Sequence, residues 1–307
     1  MKGIITIIVP NYNGGKHFKK CIFSLQNLLY KKDLLQIIII DDASNDGSAQ
    51  WIRRLNLSEP FHCIYHQSNR GRSATRNDGL KIAIGDIIIF LDGDMYVMPD
   101  FVQQHIDALI QEGIVAVAGR VEVDKNIKKN KVLKYLFDYK GRGAKQFSEN
   151  SPMSFQYLTT QNMSMNSEVL QKVGLMDEYI PNYRGEDIAY AYKIWQAFPS
   201  GLRYSAQPKA IFSENYSITE LLKNYSQFGK NALPVILNNY PGISLHLFNK
   251  WVSNSILKKL FGIFFFNNVG LYFGKLLFIL CPYPLSNYVI RYTLACAVIS
   301  NWRRSCN

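Results

Sequence analysis

Four uninterrupted apolar, β-branched runs return at short intervals in the first third of the chain: "GIITIIVP" (3–10), "LLQIIIIDD" (34–42), "FHCIYHQ" (61–67) and "GDIIIFLDGD" (85–94). None alternates apolar with polar residues, which predicts strands covered on both faces, as in a parallel sheet. Helical segments fall between them: 14–30 with Asn13 as its cap, 49–55 after "SND", and 73–83. Strand alternating with helix predicts a doubly wound α/β layer, in which ligands collect at the carboxyl ends of the strands. The polar residues at those ends are Asn11, Tyr12 and Asn13, then Asp41 and Asp42, then 69–77, then Asp92 and Asp94.

Past Pro99 the pattern changes. "PDFVQQHIDALIQEG" reads as a helix with proline at its start, "IVAVAGRVEV" as a strand, and 125–152 as a basic, loop-rich excursion that is either a substrate flap or a solvated surface. "GEDIAYAYKIWQAF" reads as a helix with Ile188, Ala191, Ile194, Trp195 and Phe198 on one face. From about Leu247 the chain turns apolar and aromatic, yet Asn267, Asn268, Lys275, Pro282, Pro284 and Arg291 interrupt it. Leu260–Cys281 approaches the length of a membrane span, but the interruptions suit two helices lying in the membrane interface and joined at "CPYPLSN". Lys250, Lys258, Lys259, Arg291, Arg303 and Arg304 flank them, as an anionic cytoplasmic leaflet would favour. A soluble helical subdomain or a dimer interface would use the same residues. The expected division is 1–98, a nucleotide-binding half; 99–235, a second half; and 236–307, the terminal helices.

The chain has 307 residues, and 35 Lys and Arg against 23 Asp and Glu give it a net charge of +12. That fits an anionic partner: nucleic acid, a phosphorylated small molecule or a membrane surface. Basic and aromatic residues do not interleave on a strand in the manner of a nucleic-acid reader, so no nucleic acid is expected. The five cysteines form no C-x-x-C pair, and the first apolar run is too short for a signal sequence, so a reduced cytoplasmic setting without export is expected.

Aspartates flanking a glycine are by default a turn, but at the end of the fourth buried run Asp92 and Asp94 are placed to manage a diphosphate. One carboxylate there can meet a ribose or a metal-bound water, and the other a hard divalent cation that orients the leaving group. Gly93 removes bulk where backbone and nucleotide approach.

The segments "ITIIVPNYNGGKHFKKCIFSLQNL", "IIIIDDASNDGS", "NRGRSATRNDGLKIAIGDIIIFLDGD", "TTQNMSMNSEVLQKVGLMDEY" and "RGEDIAYAYKIW" follow in that order. Together they resemble the inverting glycosyltransferases of family 2, over about Ile4 to Phe212. The resemblance implies the GT-A fold: a Rossmann-like nucleotide-binding layer fused to an acceptor-binding part, here followed by the helical, membrane-associating segment. It implies that Pro10 and Tyr12 shape the base pocket, that Tyr12 stacks on uracil, and that Asp42 contacts the base edge or ribose. Asn69, Arg72 and Arg76 would approach the nucleotide and its phosphates, Asp92 the ribose, and Asp94 a Mn²⁺ or Mg²⁺ ion. Asp187 would be the base that deprotonates the acceptor, with Glu186 orienting it; at a helix start the dipole favours its anion. Relatives often carry a metal-site histidine six residues after a proline that begins the last strand. Counting from Pro208 reaches Glu214, with none of the five histidines nearby in the sequence, so either Glu214 is an oxygen ligand or metal dependence is weakened. The Gln-x-x-Arg-Trp signature of processive polymerases is absent.

The expected activity is therefore transfer of one sugar, from a UDP-sugar, to a glycan or lipid-linked acceptor at the cytoplasmic membrane face, in surface polysaccharide or glycolipid assembly. A nucleotidyltransferase would show a Gly-rich loop with arginine after the first strand, which "PNYNGGKH" lacks. A scaffold that kept the fold without catalysis would have no need for Asp92, Asp94 and Asp187 together.

Overall fold

The computed structural model describes residues 3–181, 185–247 and 266–306. Two compact units interleave along the chain: Met1–Lys128 with Lys140–Glu178 and Tyr190–Glu214, and Lys129–Tyr139 with Tyr179–Ala189 and Asn215–Asn307.

The first unit is built on one eight-stranded mixed sheet. Its strands are β1 (Ile5–Asn11), β2 (Leu35–Asp41), β3 (Phe61–Tyr65), β4 (Ile87–Leu91), β5 (Met95–Val97), β6 (Ala116–Val123), β7 (Asn162–Asn166) and β8 (Leu202–Phe212), in the order β3-β2-β1-β4-β7-β6-β8-β5. β1 to β4 run parallel to one another, and β7 enters antiparallel to both β4 and β6. Ile7, Ile8, Ile37, Ile38, Ile40 and Ile89 are wholly buried, each contributing roughly 1.5–3 kcal/mol. β3 departs from the expectation of full coverage: it is the edge strand, and all five of its residues are only half-buried. Pro208 does not begin the last strand but lies inside β8, where the register against β6 shifts between Ala118 and Arg120, an irregularity that tolerates a missing N–H.

Helices α1 (Gly15–Gln26), α2 (Ser48–Leu55), α3 (Arg72–Ile82) and α4 (Phe101–Leu109) connect the strands near the expected bounds. Asn13 is not the cap of α1, which starts after Gly14 without a side-chain cap; the Asn13 side chain instead accepts from Asn45 N–H at 2.9 Å. Gly79 lets α3 lie tight on the sheet, since a Cβ there would meet Ile8 Cγ2 at 2.8 Å. That packing fixes the height at which Arg76 leaves the helix. The helix Glu186–Ala197 is covered more widely than a single face, with Ala189, Tyr190, Ala191, Tyr192 and Ile194 buried and Ile188 and Trp195 half-buried.

The second unit is helical. Val132, Tyr135, Leu221, Leu222, Phe278, Ile290, Leu294 and Ala297 form its apolar cluster. Part of the basic excursion is thus packed core, since Val132 and Tyr135 belong to that cluster. The helices Asn268–Leu280 and Ser286–Cys306 are joined by 281–285, as the prolines there require. Lys131 Nζ donates to the carbonyls of Ile279 at 2.7 Å and Cys281 at 2.8 Å, satisfying groups left open at the first helix's end. Among the described residues no helix is long and apolar enough to cross a membrane. Lys250, Lys258, Lys259 and the first part of Leu260–Cys281 lie outside the described residues.

Candidate active site

Three loops at the carboxyl edge of the sheet are tied into one surface. Asn11 Nδ2 donates to Asp41 Oδ1 at 2.7 Å, and the Ser44 hydroxyl accepts from Asn13 N–H at 2.9 Å, so the segments after β1 and β2 hold each other. Beside them the Tyr12 ring is 53% exposed, free to meet a flat ligand. Asp42 organises the third loop: its Oδ1 meets His66 Nδ1 and accepts from Arg70 N–H, both at 2.7 Å, and its Oδ2 accepts from Gly71 N–H at 2.9 Å. Asn69 reaches the Asp42 carbonyl at 3.4 Å. Buried and engaged at both oxygens, the Asp42 carboxylate braces the loop after β3 against the end of β2. His66, which also meets Asp78 Oδ2 at 3.0 Å, is a residue that sequence reasoning did not single out.

The fourth loop carries the carboxylates. Arg76, buried at the base of α3, places Nη2 2.7 Å from Asp92 Oδ1, while exposed Arg72 begins the same helix. A Cβ on Gly93 would stand 2.7 Å from the Pro10 carbonyl oxygen and 3.3 Å from the Phe18 ring. The glycine is therefore required by the approach of β1 and α1 to this loop, a crowding within the fold itself. Asp94 Oδ1 is buried with no hydrogen-bond partner. Burial first, then the charges of Asp92 and Glu214, push the Asp94 carboxyl up to about 7, against the opposing pull of its backbone and Arg72. The same two aspartates, after burial, drive the Cys21 thiol of α1 upward, so α1 stands close beside them.

Glu214 follows β8, and space supplies what the sequence count did not. The His17 ring of α1 reaches it, with Nε2 3.2 Å from Glu214 Oε1 and Nδ1 2.7 Å from the Ser213 hydroxyl. Burial, with Lys16 and Lys20 nearby, holds the His17 pKa below its usual value despite Glu214. In its neutral form His17 accepts a hydrogen bond from the Ser213 hydroxyl at Nδ1 and donates one from Nε2 to Glu214.

Among the described residues no group of three His, Cys, Asp or Glu side chains cages a metal by itself. The donor set nevertheless suits a hard divalent cation shared with a phosphate: oxygen donors, an orphaned buried carboxylate oxygen, and mutual repulsion that a dication relieves.

Glu186 and Asp187 lie in the second unit, at the first turn of their helix, with Glu186 buried and Asp187 half-buried. Gly185 precedes them at φ +108°, where a Cβ would strike Ile236 Cδ1 at 2.6 Å. Both the left-handed backbone and the packing therefore demand glycine at that position.

The sequence profile described as glycosyl transferase family 2 matches residues 6–173, more than half of the chain and all of the loops just described up to Asp94. The chain belongs to glycosyl transferase family 2. An uncharacterized glycosyltransferase from Haemophilus influenzae is 26% identical over 211 residues, which cover 68% of this chain and 78% of that one. Glycosyltransferase AglE of Haloferax volcanii is 25% identical over 119 residues, 38% of this chain and 39% of its own length. The chain thus spans well under two thirds of AglE. Among solved structures, mannosyltransferase PcManGT from Pyrobaculum calidifontis, in complex with GDP-Man and Mn²⁺, matches with a TM-score of 0.61 at 18% identity, over 99% of this chain and 88% of that one. TarS 1-349 of S. aureus in complex with UDP-GlcNAc matches with a TM-score of 0.56 at 13% identity, over 99% and 92%. At these identities the likeness is one of fold, the family's GT-A fold.

Proposed function

We propose that this glycosyltransferase moves a single hexosyl or N-acetylhexosaminyl unit, with inversion, from a UDP-sugar to a hydroxyl of a glycan or lipid-linked acceptor. The observation that carries the donor half is the buried, unpartnered Asp94 Oδ1 beside Asp92 and Glu214, a concentration of negative charge that calls for a cation and its diphosphate. Tyr12 offers its exposed ring to the base, while Pro10 and the Asp42 loop wall the pocket. Asp92, oriented by Arg76, meets the ribose. Asp94 and Glu214 would hold Mn²⁺ or Mg²⁺, which when bound neutralises the diphosphate of the leaving group. Arg72 and Arg76 add positive charge along the same path, and Asn69 a polar amide.

Asp187 accepts the proton of the acceptor hydroxyl as its oxygen bonds to the anomeric carbon and the bond from that carbon to the diphosphate oxygen breaks, releasing UDP. Glu186 orients the acceptor. Calorimetric titration with UDP, GDP and dTDP, with and without Mn²⁺, tests the donor assignment. Tight UDP binding that needs both Mn²⁺ and Asp94 is expected, over a weaker metal-free binding, and an Asp94→Ala variant with undiminished Mn²⁺-dependent binding would overturn it. GDP is the pertinent competitor, since PcManGT was solved with GDP-Man.

The reading also places the enzyme on the cytoplasmic face of a membrane, working in surface polysaccharide or glycolipid assembly. Support comes from the helices Asn268–Leu280 and Ser286–Cys306 and the join between them, where Tyr272, Phe273, Leu277, Leu280, Leu285 and Tyr288 are exposed. Apolar rings and chains standing out of an amphipathic pair, near Lys275 and Arg291, suit a headgroup boundary. Sedimentation with anionic vesicles, lost on replacing Tyr272, Phe273 and Leu277 by serine, is the expected outcome.

A further inference from the structure

His17 and Ser213 stand 196 positions apart, yet the imidazole is held at both nitrogens by consecutive residues past the end of β8, Ser213 at 2.7 Å and Glu214 at 3.2 Å. The His17 side chain is 12% exposed and that of Glu214 40%. A buried ring with both nitrogens engaged is a fixed post, whereas a half-exposed carboxylate on a segment leaving a strand is free to swing unless something ties it. Glu214 is near enough to Asp94 to raise its pKa, so the tied carboxylate belongs to the same charge cluster.

We propose that His17 is a positioning residue of the diphosphate and cation site: it donates from Nε2 to Glu214 Oε1, fixes that carboxylate, and leaves Oε2 to face the bound cation beside Asp94. The inference rests on the donor-site reading above and adds a residue from α1 to it. Hydrogen bonds of this kind, which orient a ligating carboxylate, typically change metal affinity 10- to 100-fold when removed. Ser213 completes the relay by donating a hydrogen bond from its hydroxyl to Nδ1, which keeps the ring's single proton on Nε2, facing the carboxylate.

The test is a Mn²⁺ titration, followed by electron paramagnetic resonance of the free ion, on full-length protein saturated with UDP. The variants are His17→Leu, His17→Gln, Glu214→Ala and the His17→Leu/Glu214→Ala pair. The leucine variant is expected to lose about 10- to 100-fold in Mn²⁺ affinity, while its metal-free UDP affinity stays unchanged. Glutamine, which keeps an N–H donor for the carboxylate, recovers most of the loss. Leucine adds little once Glu214 is alanine, because the two act through one contact.

Wild-type Mn²⁺ affinity in the leucine variant, or a full additive loss in the pair, overturns the inference while the donor reading stands. A wild-type protein whose UDP complex takes up no Mn²⁺ overturns both. If leucine at 17 lowers the melting temperature, Ser213→Ala carries the test: a weaker loss of Mn²⁺ affinity supports the relay, and none overturns it.

Discussion

Arg76 and Asp92 meet at 2.7 Å, the guanidinium buried inside α3 and the carboxylate a quarter exposed at the mouth of the site. The contact fixes Asp92 in one direction, leaving its other oxygen for a ligand. Removing one member of a buried ion pair strands the other, at a cost of about 3 kcal/mol. Arg76→Met is therefore expected to lower stability by about that amount in urea denaturation and to weaken UDP binding in calorimetry. Arg76→Lys should recover little, since a compact ammonium on a shorter reach does not reproduce the planar fork.

Gly93 has little freedom to change. With the Pro10 carbonyl 2.7 Å from where a Cβ would stand, Gly93→Ala must push the two aspartates away from β1. Overpacking of this kind costs roughly 1–3 kcal/mol, and the displaced carboxylates should reduce kcat/KM at least as sharply. Gly113, at φ +76° with open space around it, is the control: Gly113→Ala should cost about 1 kcal/mol of stability from backbone strain and leave kinetics unchanged.

Asp187→Asn keeps shape and removes the proton acceptor. Loss of a general base typically costs 10²- to 10⁴-fold in rate, so kcat should fall within that range while the calorimetric affinity for UDP stays as in the wild type. A variant retaining wild-type kcat would transfer the role to another group.

His105 gives the fold a pH dependence of its own. Its Nε2 lies 2.9 Å from Asn162 Oδ1 and its Nδ1 2.9 Å from the Ser164 hydroxyl, and complete burial drives its pKa down to about 3. Unfolded, the ring titrates near its ordinary 6.5, so the unfolded chain binds the extra proton first. The stability that the neutral ring contributes is fully present above pH 6.5 and is lost as pH falls towards 3, with a slope of about 1.4 kcal/mol per pH unit from this proton. Urea midpoints measured from pH 7 to pH 4 should show that slope, and His105→Gln should flatten it.

The parallel half of the sheet was legible because runs such as Ile37–Ile40 and Ile88–Ile89 can only be buried, and a run covered on both faces announces its own layer. β3 misled because Phe61, Cys63, Ile64 and Tyr65 of "FHCIYHQ" read as one more apolar run, while its place at the sheet edge depends on strand order, which composition does not encode. Asp92 and Asp94 were legible from their place at the end of such a run. Asn77 was legible only as part of a motif; its side chain proves structural, donating to the Met176 carbonyl at 2.9 Å and accepting from Met176 N–H at 2.9 Å. His17 carried no local signal. It sits on the flank of the buried stripe of Phe18, Cys21, Ile22 and Leu25, and only the three-dimensional return of β8 brings Glu214 to it.

The strand order also warns against cutting the gene at the family's limits. The matched segment ends at residue 173, but β8 begins at Leu202 and is the neighbour of both β6 and β5. A fragment trimmed there would leave β6 with a bare rim of amides and β5 with nothing to lie against, an invitation to stick to other copies. The recombinant piece that looks minimal by homology would be the one most prone to inclusion bodies.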